Sequence, residues 1–275
     1  MKRVKLLLVF LSVVLISGCS QRYSLERQLW GLERKVDKAV ADPNQMVEGQ
    51  LNILLKEAQS LESSAKERGL APRALRIEAI LLAALGKNRE AIALGDKLET
   101  QKDKVAFYNA LSKWFLRKKD YNNALSCFEK GLAPVKGSIL YYKGLTDMYI
   151  VAKSAGKGDK YYSIAEAEYK KAIDSDKEAL KYVGMTGLVR LYLASGKVND
   201  AMDILSEISS DGKYPEKVRA RAFLDRILLL LKNKNIDGAK QILEQIKSAG
   251  LKPEFVNQVS ALIDKAQGAQ TKSGS

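Results

Sequence analysis

Along most of the chain apolar residues return every three or four positions, and nowhere do they alternate with polar ones as a half-buried strand requires. From Ser24 to about Ala41 the apolar set is Leu25, Leu29, Leu32, Val36 and Val40, which is one face of a helix. From there to about Arg68 it is Leu51, Leu54, Leu55, Ala58, Leu61 and Ala65, a second helix. Between them Asp42-Pro43 supplies a capping side chain and a proline preset for a first helical turn. Gly69 ends the second helix and Pro72 opens a third. All five prolines (Pro43, Pro72, Pro134, Pro215 and Pro253) fall between helical patterns, where a missing N–H is tolerated. The pattern predicts about thirteen helices and no sheet.

The predicted helices come in pairs, and the pairs repeat. An alanine sits a few residues into the second helix of each pair, at Ala91, Ala124, Ala165, Ala201 and Ala239, with spacings of 33, 41, 36 and 38 residues. A bulky residue follows four positions later in most of them: Phe128, Tyr169, Leu205 and Leu243. The longest spacing contains a Gly/Lys-rich stretch, Ser154 to Asp159, predicted as a longer loop. The clearest unit runs from Tyr108 to Gly131 through Leu111, Phe115, Tyr121, Ala124 and Phe128. A second runs through Met185, Leu188, Tyr192, Gly196, Ala201 and Leu205. The unit from Phe223 to Ile246 is degenerate, with Arg226 at a position that suits leucine.

This arrangement of small and large positions resembles the tetratricopeptide repeat, whose period is about 34 residues. The resemblance implies an all-α fold, a right-handed α-α superhelix built from paired antiparallel helices, with about five repeats over residues 71–251. Residues 24–70 then form an N-terminal helical pair. Residues 252–267 form a capping helix with Phe255, Val259, Leu262 and Ile263 on its inner side, since a terminal repeat otherwise exposes its apolar face. The small, polar residues 268–275 are expected to be a disordered tail.

The first eighteen residues depart from this pattern. Lys2, Arg3 and Lys5 precede an apolar run from Leu6 to Ile16 that is broken only by Ser12. A membrane-spanning helix needs about 20 apolar residues, so the run suits a signal peptide. Ile16, Ser17, Gly18 and Cys19 resemble the bacterial lipobox. That resemblance implies a signal peptide over residues 1–18, a lipid on Cys19 and a tether over residues 19–23. Because Ser20 and not aspartate follows the cysteine, it also implies the outer membrane, facing the periplasm.

Charge and composition narrow the chemistry. The net charge is +14, and +11 from Cys19 onward, because three basic residues and no acid lie before it. Such a balance favours acidic partners, whether anionic lipid, acidic peptide or nucleic acid. The chain has no histidine, which excludes every catalytic or metal site built on one. Gly86-Lys87, Gly156-Lys157, Gly196-Lys197 and Gly212-Lys213 all lack the earlier glycine and following Ser or Thr of a phosphate loop, so they are read as turns. Gly184 and Gly187 point to close helix packing. Tyr121, Tyr149, Tyr169 and Tyr192 occupy repeat core positions and make no platform for nucleic-acid bases. Cys127 is either a small packing residue or a thiol able to join a partner.

In tetratricopeptide proteins the first helix of each pair lines a groove that binds extended peptides. The resemblance places Arg73, Arg76, Asn109, Lys113, Lys143, Arg190 and Arg221 along it, a mostly basic set suited to an acidic segment or a chain-terminal carboxylate. The reading is of a lipid-anchored, non-enzymatic scaffold for an envelope protein partner, with no cofactor, metal, catalytic residue or nucleic acid. Its layout is similar to that of repeat lipoproteins of outer-membrane β-barrel assembly and of pilus secretin assembly. The competing expectation is an enzyme, or an accessory subunit, acting on envelope polymer.

Overall fold

A computed structural model describes the backbone of residues 2–41 and 47–273 and the side chains of residues 21–41 and 47–269. Among the described residues there are thirteen α-helices and no strand. They are α1 (Lys2–Ala41), α2 (Glu48–Glu67), α3 (Ala71–Ala84), α4 (Asn88–Ala93), α5 (Gln101–Arg117), α6 (Tyr121–Leu132), α7 (Ile139–Ser154), α8 (Gly158–Ile173), α9 (Glu178–Ser195), α10 (Val198–Ser210), α11 (Glu216–Lys232), α12 (Ile236–Ser248) and α13 (Pro253–Ser273). They fall into two compact units, residues 1–161 and 162–275.

The same turn joins the two helices of five successive pairs, from α3–α4 to α11–α12. Gly86, Lys119, Gly156, Gly196 and Lys234 each take a left-handed backbone conformation, with φ between 58° and 89°. In each case the next residue's N–H reaches back to close the helix: Lys87 to Leu82 O, Asp120 to Phe115 O, Lys157 to Ala152 O, Lys197 to Tyr192 O and Asn235 to Leu230 O. This satisfies carbonyls that the helix end would leave unpaired. Within each unit a connection of two or three residues then turns the second helix antiparallel to the first. Side chains cap several of the helices that follow: Thr100 accepts from Asp103 N–H, Asp120 from Asn123, Ser138 from Tyr141 and Asn235 from Gly238.

The marker alanines explain the pairing. Ala91, Ala124, Ala165, Ala201 and Ala239 have no accessible surface at all. A methyl group at that point lets the two helices of a pair approach closely, and anything larger would hold them apart. In the first unit Leu29, Leu32, Ile77, Leu81, Phe107, Tyr108, Leu111 and Phe115 form the buried interior, with α1 laid on α2 and α3. In the second unit Met185, Val189, Leu205 and Ile208 form one cluster, and Phe223, Ile227, Ile242, Ile246, Val259 and Ile263 another. Gly187 belongs to this unit, and a Cβ there would stand 2.2 Å from the Tyr169 ring, so close packing does explain it. The fold is all-α and TPR-like, a succession of paired antiparallel helices, as the periodicity predicts.

Three element boundaries differ from expectation. The first helix begins at Lys2, not near Ser24, because no proline or paired glycine interrupts residues 2–41 and a helix once nucleated propagates through them. The Gly/Lys-rich stretch is only a short turn: Gly156 closes α7, and the extra residues lengthen α8, whose first turn carries Asp159 where the helix dipole favours an acid. The last helix continues through Gly268 to Ser273, so the small polar residues extend α13 instead of leaving it at Gln267. The capping role expected of Asp42 and Pro43 falls outside the described residues.

Candidate binding groove

In the second unit α9 and α11 are first helices of successive pairs. The residues they turn toward the space between them are spaced by about one helical turn: Tyr182, Thr186, Val189/Arg190 and Leu193 on α9, and Arg221, Asp225, Leu228 and Lys232 on α11. Helical spacing of three and four brings each set into one stripe. The two stripes and Leu205 enclose a groove of about 540 Å³. Its floor is apolar, from Val189, Leu193, Leu205 and Leu229. Leu228 stands on its rim and is 42% exposed, which is unusual for a leucine in this chain.

Arg190 and Arg221, both expected to line a groove, are therefore brought together here, with Lys232 as a third cation. Asp225 partly offsets them, since Arg221 pairs with it at 3.0 Å on one turn of α11. The composition is an apolar strip bordered by cations. It fits a segment that carries aliphatic side chains on one edge and carboxylates on the other.

The other expected groove residues lie in the first unit, on α3, α5 and α7. Arg73 and Arg76 on α3 both donate to Glu33 on α1, at 2.5 and 2.7 Å to its two oxygens. Burial alone would raise the Glu33 carboxyl, but hydrogen bonds from both arginines outweigh it and hold the group below the ordinary carboxylate range. The pair thus fastens α1 to α3. Arg76 also borders a notch of about 220 Å³ with Asp37, Ile77 and Ile80. Asn109 and Lys113 are exposed on α5, and Lys143 is exposed on α7 beside Leu140 and Ile150, two aliphatic side chains also open to solvent.

Cys19 lies in the helical backbone of α1, and its side chain falls outside the described residues. Cys127 on α6 is fully buried, and burial pushes its thiol up to about 12. It is a packing residue. Among the described residues no group of three or more Cys, Asp or Glu side chains is placed to hold a metal ion, and no helix is long and apolar enough to cross a membrane.

Sequence inspection missed Leu228, Lys232 and Asp225. Leu228 begins the run Leu228-Leu229-Leu230-Leu231, in which four consecutive leucines point to every side of the helix and hide the one that faces out. The available signal was its place one and two turns beyond Asp225 and Arg221 on a single stripe.

No protein-family model and no curated protein sequence matches the chain. Several solved structures are similar in fold. The chain resembles Naa15/Naa10 bound to HypK-THB, with 16% identity and a TM-score of 0.37 over 90% of this chain and 35% of that one. It therefore spans about a third of that protein's length. It also resembles BtubC from P. vanneervenii, with 17% identity and a TM-score of 0.42 over 83% of this chain and 94% of that one. A third similarity is to a tetratricopeptide repeat protein from Parabacteroides merdae, with 16% identity and a TM-score of 0.33 over 88% and 99%.

Proposed function

We propose that this protein is a lipoprotein of the cell envelope, held by a lipid on Cys19 at the outer membrane and facing the periplasm. Its repeats capture a segment of an envelope protein and perform no chemistry on it. The observation that carries the proposal is the groove between α9 and α11, where an apolar floor is bordered by Arg190, Arg221 and Lys232. Stacked helix pairs offer extended surfaces of this kind for recognising chain segments. The segment that fits is acidic with aliphatic anchors, its side chains seated on Leu193, Leu228 and Leu229 and its carboxylates meeting the cations.

Chemical crosslinking in native membranes, followed by identification of the captured protein, tests the proposal. Arg190→Glu places a carboxylate against the partner's own and is expected to abolish capture, while Lys113→Glu on α5 tests whether the first unit also contributes. Leu228→Asp removes the exposed aliphatic contact and is expected to act like Arg190→Glu. Capture at unchanged stoichiometry in both Arg190→Glu and Leu228→Asp overturns the groove reading. Each variant lies on an exposed position, so circular dichroism should show the fold intact.

A further inference from the structure

Helix α1 has two faces of opposite kind. Leu25, Leu29, Leu32 and Val36 are buried against α2 and α3. The reverse face carries Tyr23, Arg27, Trp30, Arg34 and Lys38 at intervals of three and four residues, all exposed. Tyr23 is 64% exposed and Trp30 54%. An exposed tyrosine and tryptophan on one stripe ask for an occupant, because each gives up apolar area to water that a partner would cover. The Arg34 guanidinium lies 4.9 Å from the centre of the Trp30 ring, so cation and aromatic already form one surface. The nearby acids are turned to other uses: Glu26 pairs with Arg22, and Glu33 with Arg73 and Arg76. Asp37 stands at the edge of the stripe and borders the notch with Arg76.

We infer that this face of α1 rests on the headgroup layer of an anionic phospholipid bilayer. Tyrosine and tryptophan rings have an apolar body and a polar tip and settle at the depth where hydrocarbon meets headgroup. Arginine and lysine beside them meet lipid phosphates, each worth about 1 kcal/mol near an anionic surface, or about fivefold in partition. A protein groove would offer the aromatics a pocket but gives no reason for a cationic border along the whole stripe. The inference rests on the lipid anchor proposed above: the helical backbone is continuous from Cys19 to Tyr23, one turn, so a lipid there would bring the stripe to within about 6 Å of the headgroups.

The chain has two tryptophans, and the other, Trp114, is buried in the first unit. This permits a direct test on the full chain, extracted from membranes in detergent and returned to vesicles of phosphatidylcholine and phosphatidylglycerol with brominated acyl chains. In the Trp114→Phe variant, Trp30 emission should shift to the blue and be quenched by the brominated lipid. If that variant folds poorly, the difference between wild type and Trp30→Phe reports the same quantity. The Arg27→Glu/Arg34→Glu variant should lose the quenching, as should vesicles of phosphatidylcholine alone. Trp30 emission that the brominated lipid leaves unchanged, or quenching that persists in the double variant, overturns the inference. Mass spectrometry of the same sample reads the state of Cys19. An unmodified cysteine removes the anchor reading, whereas a modified one with unquenched Trp30 removes only the surface reading.

Discussion

Arg226 occupies a position that suits leucine, and its surroundings show what that substitution costs. The side chain is 7% exposed and donates from Nη1 to Ser209 Oγ and to Gln245 Oε1, while its Nε has no partner. Burial lowers its pKa, because a guanidinium without a facing carboxylate is poorly solvated there. The unfolded chain therefore holds this proton more tightly than the folded one, and the charge disfavours folding across the ordinary pH range. Replacing it with a neutral side chain of similar length removes that penalty. Ser209 keeps its bond to Ser206 O, and Gln245 is exposed to water. Arg226→Met should raise stability in urea by about 1–2 kcal/mol, and a lower midpoint would show that the two hydrogen bonds outweigh desolvation. The glycines give a contrasting pair. Gly187→Ala drives a methyl into the fully buried Tyr169 ring and should cost about 1–3 kcal/mol. Gly31→Ala, in the middle of α1 with nothing within 4 Å, should gain about 0.5–1 kcal/mol. Both are read from the same urea titration. At Cys127 the raised thiol pKa leaves almost no thiolate at neutral pH, so iodoacetamide should label it only as the chain unfolds.

At the scale of elements, the ion pairs between α1 and α3 add to the buried leucines that dock the first helix. Glu33 has its pKa held down by Arg73 and Arg76, so its contribution is complete above the ordinary value of 4.5 and fades as pH falls below it. Glu33→Gln should accelerate hydrogen exchange along α1 at pH 7, by about 1–2 kcal/mol of docking free energy, given that the pair is partly open to solvent. The difference between wild type and variant should shrink as the pH falls below 4.5, and exchange that differs equally at pH 7 and pH 3 would assign the effect to shape and not to charge. These arginines also mark where sequence reading stopped. Their helix, their repeat position and their sign were legible, but the acid that meets them lies forty residues away on another helix, and only packing brings it there. The turns divide in the same way. Gly86, Gly156 and Gly196 announce a left-handed residue, whereas Lys119 and Lys234 adopt that conformation without a glycine to signal it. Their positions were still recoverable, because Ala124 and Ala239 follow at the same interval as Ala91 follows Gly86. The length of α1 was not recoverable from the lipobox pattern, since a processing signal in sequence leaves the helical preference of the residues around it unchanged.

For the whole molecule, the anchor and the repeats can be separated by experiment because they rest on different residues. Folding depends on the buried alanines, the recurring left-handed turns and the clusters of the two units, which are drawn from residues 29–263. Membrane attachment, on the reading proposed, depends on Cys19 together with the cationic stripe of α1. A single acyl chain holds a protein only marginally, so a lasting attachment needs several chains, or one aided by basic residues. Cys19→Ala should therefore show an unchanged thermal transition by circular dichroism and lose all incorporation of labelled palmitate in cells. At low salt the stripe should keep part of the variant on anionic membranes, and a wash at about 1 M salt, where the screening length falls to about 3 Å, should release it. Palmitate incorporation that survives Cys19→Ala would overturn the anchor at this residue. Release at low salt as well as high would leave the anchor standing and remove the contribution of Arg27 and Arg34, so one fractionation experiment assigns each part of the attachment to its own residues.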